Sequence, residues 1–355
     1  MVELSLAGGK LVTPRGIIDG ALGVNNGRIG SIRGRPPRGA KSIHLHGAYL
    51  VPGFIDLHVW GEPQRLSRDL ARSGTTAFLR TIGPEAAKRL ADRLIAQTEL
   101  RAFEGAQCLG AHLEGPFVNP DRAGALPKRW MRPPRGAELR ALGSTHAIRL
   151  MTIAPELPGA MAAIRWCRRR GIVASLGHSA ATTEQAERAV NAGASAATHV
   201  FNGMPAFHHR RPSLLDAALT DNRLTAMVIL DGVHVSPSAF RLLVRAKGVD
   251  RVALVTDSIR YQGWNVVKRR GAYFLKTGTL AGSALTMMRA VQHAVAWGGV
   301  SLLDAVRMAS EVPARLLGDR GRGVIAVGKR ADLVAFDKHF RVLLTVVGGQ
   351  IIHQR

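Results

Sequence analysis

Six polar side chains close short apolar runs: His58 after VPGFIDL, Glu114 after LGAHL, His178 after VASLG, His199 after AAT, His234 after ILDGV and Asp257 after ALVT. His178 and His199 offer imidazole nitrogens, and Glu114 adds an anionic oxygen. Two histidines and a carboxylate from successive strands form a catalytic zinc-type set, with one position left for water. A metal so held brings the pKa of its water to about 7 and polarises a carbonyl. Asp257, at a later strand end, is suited to take that water's proton and hand it to a leaving amine. Each residue also has a plainer reading. Glu114 in HLEGP can cap the following turn, Asp257 can cap a loop, and His58 can be a satisfied core histidine. His112, two residues before Glu114, is expected to face the opposite side of its strand or the barrel wall and is set aside.

The elements that must position these groups are clearest between Val173 and Pro205. His178 and His199 each end a buried, strand-like run, and one helix lies between them. Thr182 is its expected N-cap, with Gln185 completing a capping box. Ala186, Ala189 and Val190 form its apolar face, and Gly193 stops it. Strand and helix signals alternate in the same way along the middle of the chain. Strands are expected at Thr76–Thr81, Cys108–Leu113, Ala147–Ile153, Ile172–Gly177, Thr225–Leu230 and Val252–Thr256. Helices are expected from Pro84, over Gly159–Arg170 and Pro237–Ala246, and over Thr286–Trp297 and Leu302–Leu317. Such βα units predict an α/β fold around a parallel sheet, and their number favours a closed (β/α)8 barrel, a TIM barrel. In a barrel all six strand-end side chains point into one mouth. Both chain ends instead carry short β runs and turn signals, which predicts one small β-domain built from the two termini.

Composition narrows the function classes. The chain has 355 residues, 46% of them hydrophobic, and two cysteines that make neither a disulfide framework nor a CxxC motif. No apolar run approaches the roughly 20 residues of a membrane span, and the N-terminus lacks a signal-peptide layout, so a cytoplasmic protein is expected. The charge is unusual: 49 Lys+Arg against 25 Asp+Glu, formally +24. Such a field draws anions. Yet the basic runs carry no interleaved aromatics and no nucleic-acid-binding signature, so a small anionic substrate is expected and nucleic acid is not. No GxGxxG or GxxxxGK[ST] motif follows the first strand, which argues against a nucleotide site.

HLEGPFVNPDRAGALP, TIAPE, GHSAAT, ATHVFNGMP, DGVHV, LVTDS and GTLAGSALTM, with VPGFIDLH and GKRADLVAFD, run in register along nearly the whole chain. Together they resemble the N-acetylglucosamine-6-phosphate deacetylases of the amidohydrolase superfamily. The resemblance implies a barrel over residues 51–321 and a discontinuous β-sandwich over 1–50 and 322–355. It also implies hydrolysis of N-acetylglucosamine 6-phosphate to glucosamine 6-phosphate and acetate, with another N-acyl amino sugar or N-acyl compound as the alternative substrate. By the same resemblance, Glu114, His178 and His199 hold one divalent ion, most simply Zn2+, and Asp257 is the proton acceptor and donor. Ala125, Leu126, Asn202, Gly203, Arg210 and His234 become substrate-binding, and Leu280, Ala281 and Gly282 a loop that closes on the ligand. A homodimer is implied as well. Two departures stand out. The superfamily's His-x-His reads His58-Val59-Trp60 here, and an indole cannot ligate a metal, so a mononuclear site is expected with His58 as spectator, hydrogen-bonding partner or weak ligand. After Asp257, SIRYQGWNVVKRRG replaces a small-residue loop, bringing Arg260, Tyr261 and Trp264 to the expected substrate mouth. Gly203 also stands where alanine is expected.

Overall fold

The computed structural model describes residues 3–32, 40–98, 104–260 and 265–355; Tyr261 and Trp264 lie outside them. Eight parallel segments build the centre: β1 (Phe54–Trp60), β2 (Thr75–Ile82), β3 (Gln107–Glu114), β4 (Ile148–Ile153), β5 (Val173–Leu176), β6 (Ala196–Ala197), β7 (Thr225–Ile229) and β8 (Val252–Val255). Each pairs with the next in parallel. The chain leaves β8 through Thr256 and Asp257 into Ser258–Ile259, which pairs in parallel with Val59 and Trp60 of β1. The sheet therefore closes on itself. Strand residues such as Phe54, Leu79, Leu113, Leu150 and Val228 are fully buried, as expected where helices cover a parallel sheet.

The covering helices follow the expected alternation with local differences. The second begins at Ala87, not Pro84. The expected Leu302–Leu317 helix is two helices, Leu302–Ala309 and Glu311–Leu316, broken at Ser310. Pro313 accounts for the break, since it cannot donate to the carbonyl of Ala309 and its ring clashes there. The helix between His178 and His199 runs Thr183–Ala192 and has the full capping box. Thr182 Oγ1 accepts from Gln185 N, Gln185 Oε1 accepts from Thr182 N, and Gly193 closes the helix at φ 121°. Thr182→Ala should lower the free energy of unfolding by about 1 kcal/mol, the usual worth of an N-cap, as read from urea denaturation.

A second, eight-stranded sheet joins the two chain ends. Leu333–Phe336 pairs antiparallel with Tyr49–Pro52, which lies parallel to Leu4–Thr13. Val342–Val347 and Gln350–Gln354 extend one side, and Gly16–Asn25 and Arg28–Ile32 the other. Leu6, Leu22, Leu50, Leu333 and Val346 form its apolar core. Among the described residues, no helix is long and apolar enough to cross a membrane.

Candidate metal and catalytic centre

Glu114, the last residue of β3, turns its carboxylate into the barrel mouth. Oε1 lies 3.0 Å from His178 Nε2 and 2.9 Å from His199 Nε2, and these two nitrogens are 3.2 Å apart. Oε2 lies 3.1 Å from His58 Nε2. Asp257 Oδ1 is 3.2 Å from the same His58 nitrogen and accepts a 2.8 Å hydrogen bond from Trp60 Nε1. All of these side chains are buried or nearly so. The strand ends thus bring Glu114, His178, His199, His58 and Asp257 into one contact network.

The backbone at this centre is unusual. His178, His199 and Asp257 have φ of 46°, 27° and 48°. Such left-handed conformations cost a non-glycine residue of order 1–3 kcal/mol and persist where the surroundings enforce them, which is common at functional sites.

Charge and burial compete within the cluster. Burial opposes ionisation of Glu114, but His58, His178 and His199 outweigh it and hold the carboxyl well below its ordinary range. Burial also opposes charge on His58, yet the carboxylates of Glu114 and Asp257 raise its pKa to about 9. For His178 the same contest ends in an upward shift through Glu114, whereas burial keeps His199 below its ordinary value. His178 Nδ1 lies 2.7 Å from the Arg122 carbonyl oxygen, which can only accept. Nδ1 therefore carries a proton, and Nε2 holds the lone pair of the neutral ring. His199 Nδ1 is buried without a hydrogen-bond partner among the described residues, so only its Nε2 is engaged. Two Nε2 atoms and a carboxylate oxygen converging in a buried pocket fit the donor set of a divalent cation. His58, Glu114 and His199 likewise bring ligand atoms within 4.8 Å of one another, so four side chains surround the position.

The amidohydrolase family model matches residues 49–352. The N-acetylglucosamine-6-phosphate deacetylase of Bacillus subtilis (strain 168) is 35% identical over 377 residues, covering 96% of this chain and 95% of that protein. An N-acetylgalactosamine-6-phosphate deacetylase of Escherichia coli O157:H7 is also 35% identical, covering 96% and 97%. A solved Mycobacterium smegmatis N-acetyl-D-glucosamine-6-phosphate deacetylase, a mutant in complex with N-acetyl-D-glucosamine-6-phosphate, superposes with a TM-score of 0.89 at 32% identity. The match covers 99% of this chain and 100% of that one. The chain belongs to the amidohydrolase family. It is a hydrolase acting on an amide bond, and its resemblance to the amino-sugar-phosphate deacetylases extends over nearly its full length.

Around the cluster, the amidohydrolase places the remaining expected residues unequally. His234 Nδ1 lies 2.7 Å from Asp231 Oδ2, which fixes the ring. Asn202 Nδ2 donates to the His199 carbonyl at 3.3 Å and so braces the bend after that histidine. Ala125 and Leu126 line a cavity of about 580 Å3 together with Trp60, Arg80 and Pro84. Arg210 is exposed and lies 3.1 Å from its neighbour His209, not against the cluster. Leu280, Ala281 and Gly282 are not a loop, as expected from sequence. They form a strand, Leu280–Ser283, paired with Ser258 on one side and with Ala272–Leu275 on the other. Arg260 turns back to donate to Ser258 Oγ and to the Leu285 carbonyl, bracing the strand end.

His112 also corrects an expectation. Residues two apart on a strand share a face, so His112 points inward with Glu114, one layer down. It packs edge-on against His58 at 4.5 Å and lies 2.8 Å from Thr152 Oγ1. Gly203 has a physical reason to lack a side chain: its φ is +64°, and a Cβ there would stand 3.1 Å from His178 Nδ1. Gly203→Ala should lower the free energy of unfolding by about 1–2 kcal/mol from the left-handed backbone alone, measured by urea denaturation.

Three contributors escaped the sequence reading: Asp231, Trp60 as a donor, and the Arg122 carbonyl. Asp231 carried a usable signal, since it precedes His234 by three residues in the DGVH turn. The other two are contacts between distant segments.

Proposed function

We propose that this amidohydrolase removes the acetyl group of N-acetylglucosamine 6-phosphate, giving glucosamine 6-phosphate and acetate. The observation that carries the chemistry is the convergence of Glu114 Oε1 with His178 Nε2 and His199 Nε2 beside Asp257. In this reading Glu114, His178 and His199 hold one divalent ion, most simply Zn2+. When bound, such an ion activates water near neutral pH and polarises the amide oxygen. Asp257 accepts the proton of the attacking water and returns it to the departing nitrogen, so acetate and amine leave with the protons balanced. His234, oriented by Asp231, contacts the substrate near the reacting carbonyl. Asn202, Gly203, Ala125 and Leu126 bind the sugar, with Leu280, Ala281 and Gly282 walling the mouth. Arg210, on an exposed stretch, takes the phosphate with its planar fork.

The domain division assigned to this reading is a barrel over 51–321 and a β-sandwich over 1–50 and 322–355. A homodimer is the assembly proposed with it, from the family resemblance, and the cytoplasm the location, from the N-terminal layout and the lack of long apolar runs.

A second reading keeps the chemistry and changes the sugar. The E. coli relative, named for N-acetylgalactosamine 6-phosphate, is as similar as the B. subtilis one, and the segment after Asp257 departs from what the resemblance implies. Acetate release from the two 6-phosphates, and from N-acetylglucosamine without phosphate, separates the readings. The first expects the highest kcat/KM with N-acetylglucosamine 6-phosphate and a large loss without phosphate. Preference for another N-acyl compound overturns it.

A further inference from the structure

Trp60 does more than remove a metal ligand. Its indole N–H donates to Asp257 Oδ1 at 2.8 Å, and that oxygen also lies 3.2 Å from His58 Nε2. Oδ2 has no hydrogen-bond partner among the described residues. One oxygen of the carboxylate is therefore tethered and the other is available.

The tether is rigid at both ends. Asp257 N donates to the His58 carbonyl at 2.8 Å, and Arg260 N donates to the Trp60 carbonyl at 2.8 Å. The ladder that closes the barrel thus fixes the backbones of donor and acceptor relative to each other. The far edge of the indole rests against Gly83, where a Cβ would come within 3.1 Å of Trp60 Cη2. The ring is 7% exposed and has little room to turn.

We propose that Trp60 is a positioning residue for Asp257: its N–H locks Oδ1 and leaves Oδ2 as the oxygen that exchanges the proton. This rests on the reading of Asp257 as the proton acceptor and donor. A proton-transferring carboxylate needs a fixed orientation, because a displacement of about 1 Å can cost 10²-fold in rate. An N–H donor supplies that orientation without a second cation at this end of β1.

The test uses the full-length protein with its bound divalent ion. Trp60→Phe keeps an aromatic ring and removes the donor. Expected are a 10–100-fold fall in kcat, a KM for the preferred N-acetylhexosamine 6-phosphate within about twofold, and unchanged metal content. Trp60→Gln, which restores an N–H, should recover part of the loss. An indole-¹⁵N spectrum of the five tryptophans provides a second readout. One Nε1–H resonance, absent in Trp60→Phe, should move upfield in Asp257→Asn as the charged acceptor is lost. Wild-type kcat in Trp60→Phe overturns the proposal, and so does a fall in kcat that tracks lost metal. If neither Trp60 variant folds, the spectra of wild type and Asp257→Asn decide, and five unmoved indole resonances overturn it. A fully active Asp257→Asn would instead sink the reading of Asp257 itself.

Discussion

Asp257→Asn should retain its divalent ion and lose about 10²–10⁴-fold in kcat, the usual worth of acid–base catalysis. The two side chains have the same shape, and asparagine Oδ1 can still accept from Trp60 Nε1, so the 2.8 Å tether survives. What disappears is the basic oxygen on the other arm, since an amide nitrogen cannot take a proton from water. Glu114, His178 and His199 are untouched by the change, which is why metal content should stay constant. In the proposed reading the KM should change little, because the residues assigned to sugar and phosphate lie on other segments. Steady-state kinetics alongside metal analysis checks all three expectations, and full activity in Asp257→Asn would exclude the mechanism. One interaction complicates the variant in a useful way. His58 is held at a pKa of about 9 by Glu114 and Asp257 together, against burial that opposes its charge. In the metal-free protein, loss of the Asp257 charge should let His58 deprotonate at lower pH, and its carbon-bound ring protons report this by NMR after chelator treatment.

How far the sequence discloses this centre depends on how local the determining contacts are. The Thr182–Gln185 box and the Gly193 stop are contacts within one helix, and both form as the spacing implies. The strand-end placement of Glu114, His178, His199 and Asp257 follows from alternation, because a βα barrel sends every strand end to one mouth. Contacts between distant segments are less legible. The family resemblance implies a loop at Leu280–Gly282, whereas Leu280–Ser283 is one strand of a local hairpin with Ala272–Leu275, and its single pairing with Ser258 ties it to the barrel. The bond from Trp60 to Asp257 spans 197 positions and has no local signature. Positive φ at His178, His199 and Asp257 is only weakly legible: histidine and aspartate enter the left-handed region more readily than most residues, but the closed barrel decides which of them do. His112 is legible by contrast, because the two-residue period puts it on the Glu114 face. The barrel is thus encoded by repeating local pattern, whereas the strain and tethers that sharpen the site are properties of the closed sheet.

Glu114→Gln should abolish both metal retention and turnover, with activity falling by at least about 10³-fold, because water activation and carbonyl polarisation are lost together. Glutamine preserves volume and leaves one oxygen, so packing alone predicts a mild effect; electrostatics predicts a severe one. Glu114 is the only carboxylate in direct contact with His178 and His199 among the described residues, and its charge is what favours a cation at that position. The sign of the stability change follows from the same charge. In the metal-free wild type the folded-state carboxyl lies well below its ordinary value of 4.5, so its contribution is present above that pH and is lost as pH falls through the folded value. His58 contributes oppositely: raised to about 9, it stabilises fully below its ordinary 6.5 and loses that contribution as pH rises through 9. Both limbs depend on Glu114. Chelator-treated Glu114→Gln should therefore unfold at a lower temperature than chelator-treated wild type at neutral pH, with a flatter dependence on both sides. Thermal unfolding from pH 3 to 10, with metal analysis of the untreated proteins, checks this. Wild-type metal content in Glu114→Gln would show that the histidines hold the ion without it.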